Sequence, residues 1–221
     1  MESKILVVED NHQINEDLTL QIEKKITGVV VDQAFTINEA NDKIDRMKRN
    51  KESYFAAILD FKLPKDKGYD PDFDFTICKV LRHRMKQTII IHITAFPEDP
   101  AILSHINEKH TSPRKAPGKM LPKKNQGWRN KLIRELKVHY YGVPIQKKMN
   151  LLFPETNPEN EHDAVSYRVS NGLTSCMTYQ ISELIGEITE NWKHLDSYFK
   201  GEIRCHFQVD ETNDPVRVSL L

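Results

Sequence analysis

Four short runs, at residues 5–8, 29–31, 55–59 and 89–93 and apolar except for His92, are separated from one another by stretches with helical periodicity. Runs this uniformly apolar read as strands buried on both faces, as in a parallel sheet. After the first run, Ile14, Leu18, Ile22 and Ile26 recur every fourth residue, and Gly28 closes that helix. Thr36-Ile37-Asn38-Glu39 is a capping box opening a second helix, whose inner face is Ile37, Ala40, Ile44 and Met47. Residues 69–74 read as a loop. Ile77, Val80, Leu81 and Met85 mark a third helix, Pro100 begins a short fourth, and Trp128, Leu132, Ile133 and Leu136 mark a last one. Met120-Leu121 is the candidate for a short fifth strand. Strand and helix thus alternate five times, which predicts an α/β architecture: a doubly wound five-stranded parallel sheet with helices on both faces.

The 221 residues suffice for one full domain and a smaller companion. The expected division is a domain at 1–142, a linker at 143–164 containing Pro144, Pro154 and Pro158, and a small α+β segment at 165–221. That segment reads as β-α-β-β. Residues 165–169 alternate, a long helix carries Ile181, Leu184, Ile188, Trp192, Leu195 and Phe199, and two alternating runs, beginning at Ile203 and Val216, form a hairpin.

Basic and acidic residues balance, 32 against 32, but residues 145–221 carry a net charge of −5. That excess argues against a DNA-binding output. Residues 109–137 hold ten Lys or Arg and one acidic residue, a solvated loop or a contact for an acidic partner. Cys78, Cys176 and Cys205 have no metal-ligand spacing and read as reduced core residues of a cytoplasmic protein. Neither a signal peptide nor a membrane-spanning stretch is expected.

In a parallel sheet the carboxyl ends of the strands share one edge, where chemistry collects. Asp60 ends the third run, Glu9 and Asp10 follow the first, Thr94 follows the fourth, and Lys123 lies just past Leu121. Three neighbouring carboxylates repel unless a cation neutralises them, and Mg²⁺ suits such a hard oxygen set. A hydroxyl and an ammonium opposite would bind an oxyanion, so the set suits phosphoryl transfer, with an aspartate as nucleophile.

Residues 4–11 (KILVVEDN), residues 59–64 (LDFKLP) with Gly68 eight residues after Asp60, and Ile93-Thr94-Ala95 together resemble the receiver domain of two-component response regulators. The resemblance covers residues 1–141 and implies the flavodoxin-like form of the α/β fold. It implies that Asp60 is the phosphoacceptor and that Glu9, Asp10, Asp60 and the Lys62 carbonyl hold Mg²⁺. It further implies that Thr94 hydrogen-bonds the phosphoryl group, that Lys123 pairs with it, and that a histidine kinase or phosphotransfer protein is the donor.

The chain departs from the family pattern in three places. Pro122 precedes the lysine instead of following it, leaving Lys119 and Lys124 as rivals to Lys123. The family's switch aromatic falls at Met120, and the connection leading to Lys119 is long and basic. Lys123 is the expected pocket lysine, because the short strand delivers it and Pro122 stiffens the approach.

Glu187 and Asn191, four apart on one helix, resemble the Glu-x-x-x-Asn pair of the ATPase fold shared by histidine kinases and gyrase. The chain ends before the glycine-rich boxes of that fold, and no ATP hydrolysis is expected. Three functions follow: a phosphoaccepting signalling protein, a pseudo-receiver that works by protein contacts alone, or a truncated receiver–ATPase fusion. The small segment is expected to pack against the receiver or to form a homo-oligomer, because its last strand leaves a sheet edge uncovered.

Overall fold

The computed structural model describes residues 3–85, 87–107, 119–152, 175–195 and 197–221, which fall in two compact units, Met1–Arg134 and Glu135–Leu221. The first unit holds, in order, β1 (Ser3–Val8), α1 (His12–Lys25), β2 (Val29–Ala34), α2 (Ile37–Arg49), β3 (Ala56–Asp60), β4 (Lys62–Leu63) and β5 (Asp72–Phe73). It continues with α3 (Thr76–Arg84), β6 (Ile89–Thr94), α4 (Pro100–Asn107) and β7 (Lys119–Pro122), and α5 (Trp128–Lys137) begins in it.

Five strands form one parallel sheet in the order β2-β1-β3-β6-β7. This is the flavodoxin-like doubly wound order, whose direction reverses between β1 and β3 and opens a crevice at their carboxyl ends. The register aims residues at that crevice. Val8 lies opposite Leu59, so Glu9 and Asp60 leave the sheet side by side. Thr94 lies opposite Pro122, so Lys123 follows on the same edge.

Alternation within each strand divides the core. Leu6, Val8, Ala57, Leu59 and Ile90 join Ala40 and Ile44 of α2 and Ile77 and Leu81 of α3 in one buried cluster. Ile5, Val7 and Ile58 take the opposite pleat and are also fully buried. The expected capping box forms at α2, where Thr36 Oγ1 accepts from Glu39 N at 3.1 Å. Glu39 returns the bond one residue earlier than the usual box, accepting from Phe35 N at 2.8 Å. Thr36→Ala should therefore cost about 1 kcal/mol in urea unfolding.

The loop expected at 69–74 instead contributes β5, which pairs antiparallel with β4. Two-residue strands are too short to show periodicity. Their effect is local: with Asp74 N donating to Phe61 O at 2.7 Å, they fix the chain just beyond Asp60.

The second unit contains a π-helical turn (Val138–Gly142), α6 (Val143–Leu152), α7 (Ser175–Asn191), a 3-10 turn (Trp192–His194), α8 (Ser197–Arg204), β8 (Phe207–Asp210) and β9 (Arg217–Leu220). The start of the stretch read as linker is therefore helical. Pro144 follows directly on the π-helical turn, where Val143 N donates to Val138 O and the backbone stays helical (Val143 φ −61°, ψ −40°), and Ile145, Met149 and Leu152 are buried. The expected strand at 165–169 and the rest of that linker lie outside the described residues.

The single long helix is a correction too. It breaks at Asn191, and Leu195 is extended (φ −76°, ψ 143°). Ile203 belongs to α8, one turn after buried Phe199, so the hairpin consists only of β8 and β9. Cys205 is exposed, not core, whereas Cys78 is buried. Gly142 allows a close approach, since a Cβ there would meet the Phe199 ring at 2.6 Å. Gly142→Ala should destabilise the protein by roughly 1–3 kcal/mol, measured by thermal unfolding.

Candidate functional site

The crevice at the carboxyl ends of β1, β3, β6 and β7 gathers Glu9, Asp10, Asp60, Thr94 and Lys123. Each strand delivers its polar group at its carboxyl end, where the chain leaves the core. Glu9 is 1% exposed and Asp60 7%. Lys123 Nζ lies between them, 2.5 Å from Glu9 Oε2 and 2.6 Å from Asp60 Oδ2. Of the other two lysines, Lys119 is exposed on β7, and Lys124 pairs with Glu98 at 2.6 Å. Pro122 does not divert the chain, because Lys123 N donates to Thr94 O at 2.6 Å and extends the β6–β7 pairing by one residue.

The remaining contacts orient the groups. Asp60 Oδ1 accepts from Phe61 N at 2.7 Å and from Lys62 N at 3.5 Å, leaving Oδ2 to the lysine. Thr94, fully buried, accepts from Phe96 N at 2.9 Å through Oγ1, so its own hydroxyl hydrogen can be donated. Lys62 Nζ sits 5.3 Å from the centroid of the Phe96 ring, and Phe73 meets that ring edge to face. Met120, where the family has its switch aromatic, lies on β7 opposite His92.

Electrostatics at the crevice are unbalanced. Burial first, and the Asp60 charge second, push the Glu9 carboxyl up to about 7 against the opposing pull of Lys123. Burial also raises the Asp60 carboxyl, again opposed by Lys123. Burial acts to lower the Lys123 ammonium, but Asp60 and Glu9 outweigh it and the net direction is upward. One ammonium thus faces three carboxylates and does not compensate them. Ligand oxygens of Glu9, Asp10 and Asp60 lie within 4.8 Å of one another. An under-neutralised, all-oxygen set of this kind fits a hard divalent cation such as Mg²⁺.

Sequence reasoning missed Asn15. It is fully buried on α1, and its Nδ2 donates to Glu9 O at 3.0 Å and to Ala34 O at 3.1 Å, tying the ends of β1 and β2 to the helix. A polar residue on a helix that already has an apolar stripe carries no signal of such a role. Asn15→Leu takes the side-chain donor from the Glu9 carbonyl, while the Ala34 carbonyl keeps Glu9 N at 3.1 Å, and should cost roughly 1–3 kcal/mol, measured by urea unfolding.

In the second unit Glu187 pairs with Lys148, which also reaches Glu183 at 3.6 Å. Asn191 Nδ2 donates to the Glu187 carbonyl at 2.9 Å, within its own helix. Gly201 lies inside α8.

Solved structures similar to this chain are receiver domains. The signal receiver domain of a protein from Vibrio parahaemolyticus is 17% identical, with a TM-score of 0.47, covering 66% of this chain and 96% of that one. The HemR receiver domain from Leptospira biflexa is 20% identical, with a TM-score of 0.45, covering 61% and 92%. A CheY-like response regulator receiver domain protein from Methanospirillum hungatei is 19% identical, with a TM-score of 0.43, covering 63% and 98%. No family model matches the sequence, and no curated protein matches it.

Proposed function

We propose that the first unit is a phosphoaccepting receiver, in which Asp60 takes a phosphoryl group from a phosphohistidine on a histidine kinase or phosphotransfer protein. The observation that carries this reading is the Lys123 ammonium held between Glu9 and Asp60 at the switch point of the sheet. In the reaction an Asp60 carboxylate oxygen attacks phosphorus, a P–O bond forms, the P–N bond breaks, and the donor imidazole leaves. Phe61 N, bonded to Oδ1, fixes the carboxylate rotamer. Lys123 pairs with the charge on the transferred group, and the Thr94 hydroxyl donates to a phosphoryl oxygen. Glu9, Asp10, Asp60 and the Lys62 carbonyl would hold Mg²⁺, which supplies the positive charge that lets an anion approach three carboxylates.

The proposed role is signalling rather than turnover, with an output through protein contacts. The net charge of −5 over residues 145–221 supports that output over DNA binding. A cytoplasmic site of action fits a kinase partner, and no helix among the described residues is long and apolar enough to cross a membrane.

Isothermal titration with beryllofluoride, an analogue of the acyl phosphate, tests the reading. Binding is expected with Mg²⁺ present, and none is expected with chelator or in Asp60→Asn. Failure of the wild-type chain to bind would leave the pseudo-receiver reading in its place.

A further inference from the structure

A second group of ligand-bearing side chains lies apart from the carboxylates. Cys78 of α3, His92 of β6 and His105 of α4 bring Sγ and ring nitrogens to within 4.8 Å of one another. They are 5%, 1% and 9% exposed. His92 carries the argument. It is a buried ring on a central strand, and among the described residues neither Nδ1 nor Nε2 has a hydrogen-bond partner. Buried polar atoms normally find partners, and a phenylalanine would fill the same space without leaving two of them unpaired. Burial, with His105 and Arg82 adding to it, pushes the ring's pKa down to about 3, so the imidazole is neutral and keeps a lone pair to donate.

The surroundings hold the rings in place and keep water out. His92 stacks on Phe61 with centroids 4.2 Å apart and planes 7° from parallel. His105 stacks on Phe75 at 4.5 Å and meets His92 edge to face at 6.0 Å. We propose that Cys78, His92 and His105 form a binding site for a soft metal ion, Cu⁺ in preference to Zn²⁺.

Charge and coordination number set the preference. One thiolate and two neutral imidazoles around Cu⁺ leave no net charge in an apolar pocket. Zn²⁺ would leave a positive charge there and would require a fourth ligand. Arg82, whose guanidinium charge acts on His92, opposes that extra charge further. Thiolate and imidazole are ligands that Cu⁺ accepts. On binding, the Cys78 thiol proton passes to solvent and the S–Cu bond replaces the S–H bond, with no electron transferred. The ion would join α3, β6 and α4 at one point. This site does not depend on Asp60 or on the receiver reading.

The test uses the full chain with Cys176→Ser and Cys205→Ser, leaving Cys78 as the one thiol. Under anaerobic reducing conditions the protein competes for Cu⁺ with the coloured chelator bicinchoninate, and in a separate titration for Zn²⁺ with a zinc-responsive dye. One Cu⁺ per chain is expected, bound more tightly than Zn²⁺, with the thermal midpoint raised by several degrees. His92→Phe, which keeps the stack on Phe61, and Cys78→Ser should each weaken Cu⁺ binding beyond the roughly 10–100-fold that losing an outer-shell partner costs. His105→Gln, nearer the surface, provides the same comparison should either of those variants fail to fold by circular dichroism. A chain that takes no Cu⁺ from the chelator overturns the site, as do folded histidine variants that bind as well as the parent. Tighter binding of Zn²⁺ than of Cu⁺ overturns the assignment of the ion.

Discussion

Replacing Lys123 with methionine should destabilise the metal-free protein by about 3–5 kcal/mol at pH 8, the usual cost of removing one partner from a buried ion pair. The ammonium is the cation between Glu9, 1% exposed, and Asp60, 7% exposed, and methionine fills similar space without its charge. The cost should shrink sharply toward pH 5, because the two carboxylates can then take up protons. The sign follows from Glu9 in the parent. Its carboxyl is raised from 4.5 to about 7, so between those values the folded protein binds a proton that the unfolded chain does not. That stability is present in full below about 4.5 and is lost as pH rises through 7, roughly 3 kcal/mol across the window. Without the lysine the folded carboxyl rises further and the window widens upward. Urea denaturation in the presence of chelator at pH 5.5 and pH 8 checks this. A penalty that does not change with pH would mean that the carboxylates do not depend on Lys123.

Asp10→Asn should weaken Mg²⁺ binding by at least about tenfold while leaving the fold intact. Asp10 is only partly buried and makes none of the lysine contacts, so its loss strands no buried charge. It does remove one of three anionic ligands from a site that binds weakly in any case, since Mg²⁺ retains several waters. Lys123→Met should act oppositely and tighten Mg²⁺ binding, because ammonium and metal compete for the same oxygens. Isothermal titration of the three proteins gives the order directly. Equal affinity in Asp10→Asn and the parent would remove Asp10 from the site.

The central sheet was legible because its strands are buried on both faces. Residues 5–8 and 55–59 must then be apolar throughout, and the first charged residue after each run marks where the chain leaves the core. Glu9 and Asp60 follow from that rule, Asp10 comes next to Glu9, and Thr94 is the first residue after the run at 89–93. Lys123 was harder to read: the edge strand β7 is four residues long, and three lysines stand within six positions. Sequence pointed to residues 119–124 and left three lysines there; the β6–β7 register, the bond from Lys123 N to Thr94 O and the ion pairs of Lys123 distinguish them.

Other features were not legible. The pairing of β4 with β5, the two carbonyls held by Asn15 and the meeting of Cys78 with two histidines all join residues that no periodicity of the sequence connects. In the second unit Pro144 suggested a linker, although it stands just after a π-helical turn and the helix continues through it. The apolar positions from Ile181 to Phe199 fit one continuous stripe, and nothing local marks the break after Asn191.

Treatment with acetyl phosphate, followed by intact mass and peptide mapping, tests whether Asp60 is the phosphoacceptor. With Mg²⁺ one added phosphoryl group per chain is expected, labile to hydroxylamine and located on the peptide carrying Asp60. None is expected with chelator or in Asp60→Asn. A wild-type chain that stays unmodified with Mg²⁺ present, or a label that persists in Asp60→Asn, would contradict that role.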